Sequence, residues 1–105
     1  MKIKTMITAL SIALAGVTAN FAIAEDGAAL YASKGCLACH GVDAKTSIND
    51  NIPKLAGQNK TYTMQQLKDI ASGARNNGQT AQMAAIAAGL SDAEIEAISA
   101  YLAGL

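Results

Sequence analysis

The stretch Gly35-Cys36-Leu37-Ala38-Cys39-His40 holds the residues whose types and spacing could do chemistry. Two thiols three positions apart, followed at once by an imidazole, form an attachment sequence for c-type haem. The geometry explains the spacing. Within about one helical turn of roughly 3.6 residues, Cys36 and Cys39 lie on one side of the backbone. Each can then add across one vinyl group of the same porphyrin. His40 is carried under the ring, where a nitrogen can bind the iron axially. Five residues thus supply a covalent tether and a metal ligand.

Other chemistries use the same residue types. A thioredoxin-like redox pair, a small disulfide or half of a zinc site could each employ Cys36 and Cys39. A closed zinc site needs four protein ligands, or three plus an open position. The chain has two cysteines and one histidine, and its carboxylates show no ligand-like spacing. A thioredoxin-like pair sits near a strand-helix-strand pattern, and no buried strand is legible here. The motif, with the export signal at the start of the chain, favours covalent haem over these alternatives.

The chain begins with the layout of a secretory signal. Lys2 and Lys4 precede an apolar run from Met6 to Val17, and Ala22-Ile23-Ala24 supplies the small-x-small pattern of a cleavage site. The run is shorter than the roughly 20 residues that span a bilayer. Residues 1–24 are therefore expected to be a cleaved signal peptide, and 25–105 one small domain with no membrane span. Export to the periplasm suits the chemistry, because haem is joined to such apoproteins outside the cytoplasm, where both thiols must arrive free. Lys2 and Lys4 leave with the signal. The eight basic and eight acidic residues of the whole then become an acidic excess of two, which speaks against nucleic acid or an anionic membrane surface as partner. The chain has no Trp and a single Phe, Phe21, which belongs to the signal. A domain this short often needs a staple or a cofactor, and a porphyrin could supply the missing core.

The elements that must position these residues are helical. Asp26 can cap a first helix from Gly27 to about Lys34, with Ala29, Leu30 and Ala32-Ser33 in or beside its buried stripe, and Gly35 ends it. Gly41 to Gly57 has no period and reads as an irregular loop. So long a loop needs a task, and wrapping the proximal face of a haem is one. The Pro53 carbonyl is a candidate acceptor for the second ring nitrogen of His40, although Pro53 could equally be a plain loop former. Asn59 to about Ala71 carries Met64, Leu67 and Ile70-Ala71 at helical spacing, closed by Gly73. Asn76-Asn77-Gly78 is a turn, and Met83, Ile86-Ala87 and Leu90 mark a short helix ending at Gly89. Ser91-Asp92-Ala93-Glu94 is a capping box for a last helix, whose apolar face is Ile95, Ile98, Tyr101-Leu102 and Leu105.

Iron held by His40 alone would be open to gases or peroxide, whereas a sulfur ligand on the other face closes it and raises its potential. Met64 and Met83 are the candidates outside the signal, and either could be a core filler. Met64 sits inside a regular helix. Met83 follows a polar, glycine-containing turn, where the backbone has freedom to aim a side chain at the iron.

With Cys36-Leu37-Ala38-Cys39-His40 after a first helix and Ser91-Asp92-Ala93-Glu94 opening a last one, the chain resembles the small bacterial class I cytochromes c. The likeness covers Glu25 to Leu105. It includes Leu30-Tyr31-Ala32-Ser33-Lys34-Gly35, Pro53-Lys54-Leu55-Ala56-Gly57-Gln58, Ser72-Gly73-Ala74-Arg75 and Met83-Ala84-Ala85-Ile86-Ala87. The resemblance implies an all-α cytochrome c fold, with four to five short helices around one covalently attached haem. It implies Met83 as the distal ligand and the Pro53 carbonyl as partner of His40. It places Tyr62 and Arg75 near the haem edge, and it has the first and last helices cross through Leu30 and Tyr31 against Ile98 and Tyr101. One departure is that many class I proteins carry an aromatic four residues before the first cysteine, whereas Tyr31 is five before Cys36.

The expected function is that of a periplasmic one-electron carrier, not an enzyme. It is expected to be a monomer that docks transiently with redox protein donors and acceptors. Two rivals are a haem c subunit of a multi-subunit dehydrogenase and an open-site haem ligand sensor. A thiol oxidoreductase is a more distant third.

Overall fold

The computed structural model describes residues 26–105; residues 1–25, with the expected signal peptide, lie outside the described residues. Within them the chain forms five α-helices in order: α1 Gly27–Ser33, α2 Cys36–His40, α3 Lys60–Ser72, α4 Thr80–Ala88 and α5 Asp92–Ala103. No strand occurs among the described residues. None of these helices is long and apolar enough to cross a membrane.

Each boundary has a local cause. Asp26 Oδ1 accepts from the backbone N–H groups of Ala28 and Ala29 at 3.0 and 3.2 Å, satisfying donors that the first turn leaves free. Asn59 caps α3 in the same way, through the Tyr62 N–H at 3.2 Å. At α5 both halves of the capping box form: Ser91 Oγ accepts from the Glu94 N–H, and the Glu94 carboxylate accepts from the Ser91 N–H at 2.9 Å. The Ser91 N–H, then the Lys34 ammonium, hold the Glu94 carboxyl below its ordinary range. Gly35 and Gly73 take the left-handed conformation that ends α1 and α3.

Helix α5 packs on α1 and α3, and α3 packs on α4. The core gathers Tyr31 of α1, Ala44 of the loop, and Ile98 and Leu102 of α5, with Leu30, Leu37, Leu55 and Leu90 against them. The rings of Tyr31 and Tyr101 meet at 5.7 Å with an interplanar angle of 54°, so α1 and α5 do pack through Leu30 and Tyr31 against Ile98 and Tyr101. Two apolar faces differ from expectation. In α1, Ala29, Ala32 and Ser33 are exposed and the inward side is Gly27, Leu30 and Tyr31. Leu105 is 44% exposed, because α5 ends before Gly104 and the last residue leaves the helical face.

The α1–α5 crossing is close because residue 27 has no side chain. A Cβ there would overlap the Ala97 carbonyl oxygen and stand 2.7 Å from the Tyr101 Cβ. These are atoms near the backbone that no rotamer change can move. Gly27→Ala should therefore cost about 1–3 kcal/mol, the usual penalty for overpacking, read as a lower denaturation midpoint at unchanged m-value. Ser99 of α5 tests the opposite sign. Its hydroxyl is fully buried and has no hydrogen-bond partner among the described residues, so Ser99→Ala should leave stability unchanged or raise it by about 1 kcal/mol.

The segment between α2 and α3 is irregular but well tied. Asp43 Oδ1 accepts from the Lys45 and Thr46 N–H groups at 2.8 Å each, and these bonds hold its carboxyl below the usual range. Ala44, fully buried with a φ of 56°, turns its carbonyl to the Leu55 and Ala56 N–H groups at 2.9 and 3.1 Å. The Gly57 N–H reaches Leu102 of α5 at 2.8 Å. The loop is thereby fastened to the core at its middle and its end.

Candidate functional site

Helix α2 is five residues long and consists of Cys36-Leu37-Ala38-Cys39-His40 alone. Its single turn puts Cys36 and Cys39 on the wall of one cavity of about 350 Å³, beside His40. Both thiols are free and half-buried. Burial pushes the Cys36 thiol up from its ordinary value, the opposite direction from the depressed value of a reactive thiol. Among the described residues no three His, Cys, Asp or Glu side chains converge as a metal-holding group, so the zinc alternative has no ligand set there.

His40 is 5% exposed. Its Nδ1 lies 2.8 Å from the Pro53 carbonyl oxygen. A carbonyl can only accept, so Nδ1 carries a proton and Nε2 is the ring nitrogen left to ligate, the arrangement of a ligating imidazole oriented by an outer-shell acceptor.

Helix α4 lines the cavity as well. It makes no contact with α2, yet both helices line the same space, α2 with His40 and α4 with Met83 and Ile86. Met83 is the fourth residue of α4, one turn from the Asn76-Asn77-Gly78 turn that precedes the helix. Met64, the other candidate, does not line the cavity. Apolar side chains, among them Leu55, Leu67, Ile70, Leu90, Ile98 and Leu102, form much of the wall.

Tyr62 and Arg75 both line the cavity. Tyr62 is 52% exposed and so belongs to its mouth. Arg75 Nη1 donates to Gln66 Oε1 at 3.2 Å, and among the described residues Arg75 is the one Lys, Arg, Asp or Glu in the lining. Periodicity gives no notice of several polar wall residues. Thr63 donates to Gln58 at 2.9 Å and Thr80 to the Asn77 carbonyl at 2.7 Å. Both are buried hydroxyls satisfied locally, and a hydrophobic stripe does not register them. Tyr31 is another cavity residue, and its hydroxyl donates to the Gly41 carbonyl at 2.6 Å.

These features fit a covalently held haem. Two thiols and an imidazole oriented through its Nδ1 line one cavity, a thioether lines the same cavity, and a cation among the described lining residues suits the two carboxylates that such a porphyrin carries. His40, Cys36 and Cys39 would hold the group, and the apolar wall would keep water from it.

Comparison with known proteins agrees. The family model for cytochrome c matches residues 24–105. A cytochrome c4 of Stutzerimonas stutzeri is 39% identical over 95 residues, which is 83% of this chain and 45% of that protein. A thiosulfate dehydrogenase electron acceptor of Stutzerimonas stutzeri (strain A1501) is 41% identical over 100 residues, 85% of this chain and 45% of its own length. The crystal structure of reduced recombinant cytochrome c4 from Pseudomonas stutzeri superposes with a TM-score of 0.65 at 39% identity, covering 78% of this chain and 47% of that one. The chain thus spans just under half the length of these relatives. Members of the family transfer electrons and are not enzymes. From the match over residues 24–105, the shared all-α fold and the Cys36-Cys39-His40 motif, the chain belongs to the cytochrome c family, as a small class I cytochrome c whose cofactor is covalently attached haem c.

Proposed function

We propose that this chain is a periplasmic one-electron carrier whose haem is tethered by Cys36 and Cys39 and ligated by His40 and Met83. The observation that carries this reading is one cavity lined by both His40 of α2 and Met83 of α4, two helices that make no contact with each other. When bound, the haem supplies an iron that gains and loses one electron. The protein's part is to keep the iron closed and dry. His40 keeps its orientation through the Pro53 carbonyl, and Met83 would take the position that an external ligand would otherwise need. A thioether also favours the reduced state, raising the potential into a range that suits electron transfer. Arg75 and Tyr62, both on the cavity wall, would neutralise or hydrogen-bond the carboxylates of the haem, and Arg75 is already steadied by Gln66.

The periplasmic assignment rests on the signal-like residues 1–24, with cleavage after Ala24 leaving a domain from residue 25 to 105, and on the need to attach haem outside the cytoplasm. Partners are redox proteins that dock briefly over a small area, as such encounters do. One relative is named as an electron acceptor of thiosulfate dehydrogenase, which supports an enzyme as the donor to this chain.

A redox titration of the purified protein followed optically, with carbon monoxide added to the reduced form, decides the matter. A reversible one-electron transition and no rapid carbon monoxide adduct are expected. Rapid adduct formation by the untreated reduced protein would establish an open iron and a ligand-sensing role instead.

A further inference from the structure

The geometry points to Tyr31 as a positioning residue for the iron ligand: its hydroxyl, through the Gly41 carbonyl, holds the turn that sets the His40 imidazole against Pro53. This rests on the reading of His40 as an axial ligand.

The chain leaves His40 through Gly41, whose φ of 90° lies in the region open to glycine. A Cβ at Gly41 would also overlap the Thr46 carbonyl oxygen. Glycine is the least self-restrained residue, so the direction of this turn has to be imposed by its neighbours. The Gly41 N–H is fixed by the Leu37 carbonyl of α2 at 3.0 Å. The Gly41 carbonyl is held by two donors, the Ala44 N–H of the same loop at 3.1 Å and, at the shorter distance of 2.6 Å, the Tyr31 hydroxyl of α1, which alone ties the turn to another element.

Beyond that turn the backbone comes back to His40. Asp43 and Ala44 fold the chain back, the Ala44 carbonyl receives the Leu55 and Ala56 N–H groups, and Pro53, just before them, presents its carbonyl to His40 Nδ1 at 2.8 Å. The loop from His40 to its own acceptor is a closed circuit, and Tyr31 clamps it where it starts. Tyr31 can serve as a fixed point because it is 2% exposed and packed, ring tilted to ring, against Tyr101 across the α1–α5 crossing. Burial, with smaller contributions from Cys36, Tyr101 and Asp43, pushes its phenol up to about 12, so it remains a donor at any working pH. Tyr101 supplies the other ring of the pair, and its hydroxyl makes no hydrogen bond among the described residues, which makes Tyr101→Phe the matched control.

The experiment compares wild-type holoprotein with Tyr31→Phe and Tyr101→Phe by mass, by NMR exchange of the His40 Nδ1 proton, and by reduction potential. Tyr31→Phe should retain covalent haem while its Nδ1 proton exchanges roughly five- to tenfold faster, the factor expected from losing one buried hydrogen bond. Its potential should rise, because a looser Pro53 bond makes His40 a weaker donor to the oxidised iron. Tyr101→Phe should change neither. Haem-loaded Tyr31→Phe with wild-type exchange or wild-type potential would overturn the inference and leave the ligand assignment standing. A wild-type protein without haem would overturn the ligand assignment itself. Should Tyr31→Phe not accumulate as holoprotein, the wild type decides alone. The Tyr31 hydroxyl proton should then exchange far more slowly than that of exposed Tyr62, and equal rates would overturn the inference.

Discussion

His40→Ala should yield almost no coloured protein, with a fall in holoprotein of at least about tenfold, because ligand binding and folding draw on the same free energy. The structure shows why no neighbour can substitute. His40 is the only histidine in the chain, and its ring fills a buried place on the cavity wall, hydrogen-bonded to Pro53. The fully buried apolar residues are few, with Tyr31, Ala44, Ile98 and Leu102 as the central cluster. A core of this size leaves a small domain marginal, so the porphyrin counts as core material and its loss removes more than a ligand. Haem content per polypeptide and helicity of the exported product measure the effect. Accumulation of the variant with wild-type haem and wild-type thermal stability would contradict the assignment.

Met83→Ala should behave differently. Cys36 and Cys39 are untouched, so haem stays attached, but the reduced variant should bind carbon monoxide readily and its potential should fall once the thioether is gone. Met83 is half-buried on the cavity wall, so its truncation should also lower the denaturation midpoint of the holoprotein. Met64→Ala is the contrast, since Met64 stands off the cavity and its loss should leave ligand binding and the optical spectrum unchanged. Carbon monoxide binding gained in Met64→Ala and absent in Met83→Ala would reverse the two roles.

The parts of this fold legible in the sequence are those with local causes. Asp26, Asn59 and Ser91-Asp92-Ala93-Glu94 cap helices through bonds spanning two or three residues, and left-handed Gly35 and Gly73 end them. The Cys36-Cys39-His40 spacing is local too, and it becomes a helix of its own. The resemblance to class I cytochromes c adds Met83, Pro53, Tyr62 and Arg75, and the structure brings all four to the same site as His40.

Features that stay hidden depend on distance between elements. Nothing near Gly27 in the sequence discloses that Ala97 presses against it, seventy residues away. The inward side of α1 is not legible because alanines surround that short helix and give every face the same apolar value. Only packing on α5 selects Leu30 and Tyr31. Ala44 reads as an ordinary loop alanine, yet it is buried in a left-handed conformation and organises the return of the chain to Pro53. The Tyr31–Gly41 bond joins two elements whose approach no periodicity encodes.

The central claim is that a porphyrin bonded through Cys36 and Cys39 is both the core and the working group of this domain. Intact mass of the exported protein, taken together with its optical spectra in both oxidation states and the reactivity of its thiols, tests that most directly. A mass above that of the polypeptide by one haem, haem absorption in both states and two thiols inert to alkylation are predicted. Colourless material with the mass of the bare polypeptide and two alkylatable thiols would contradict the account.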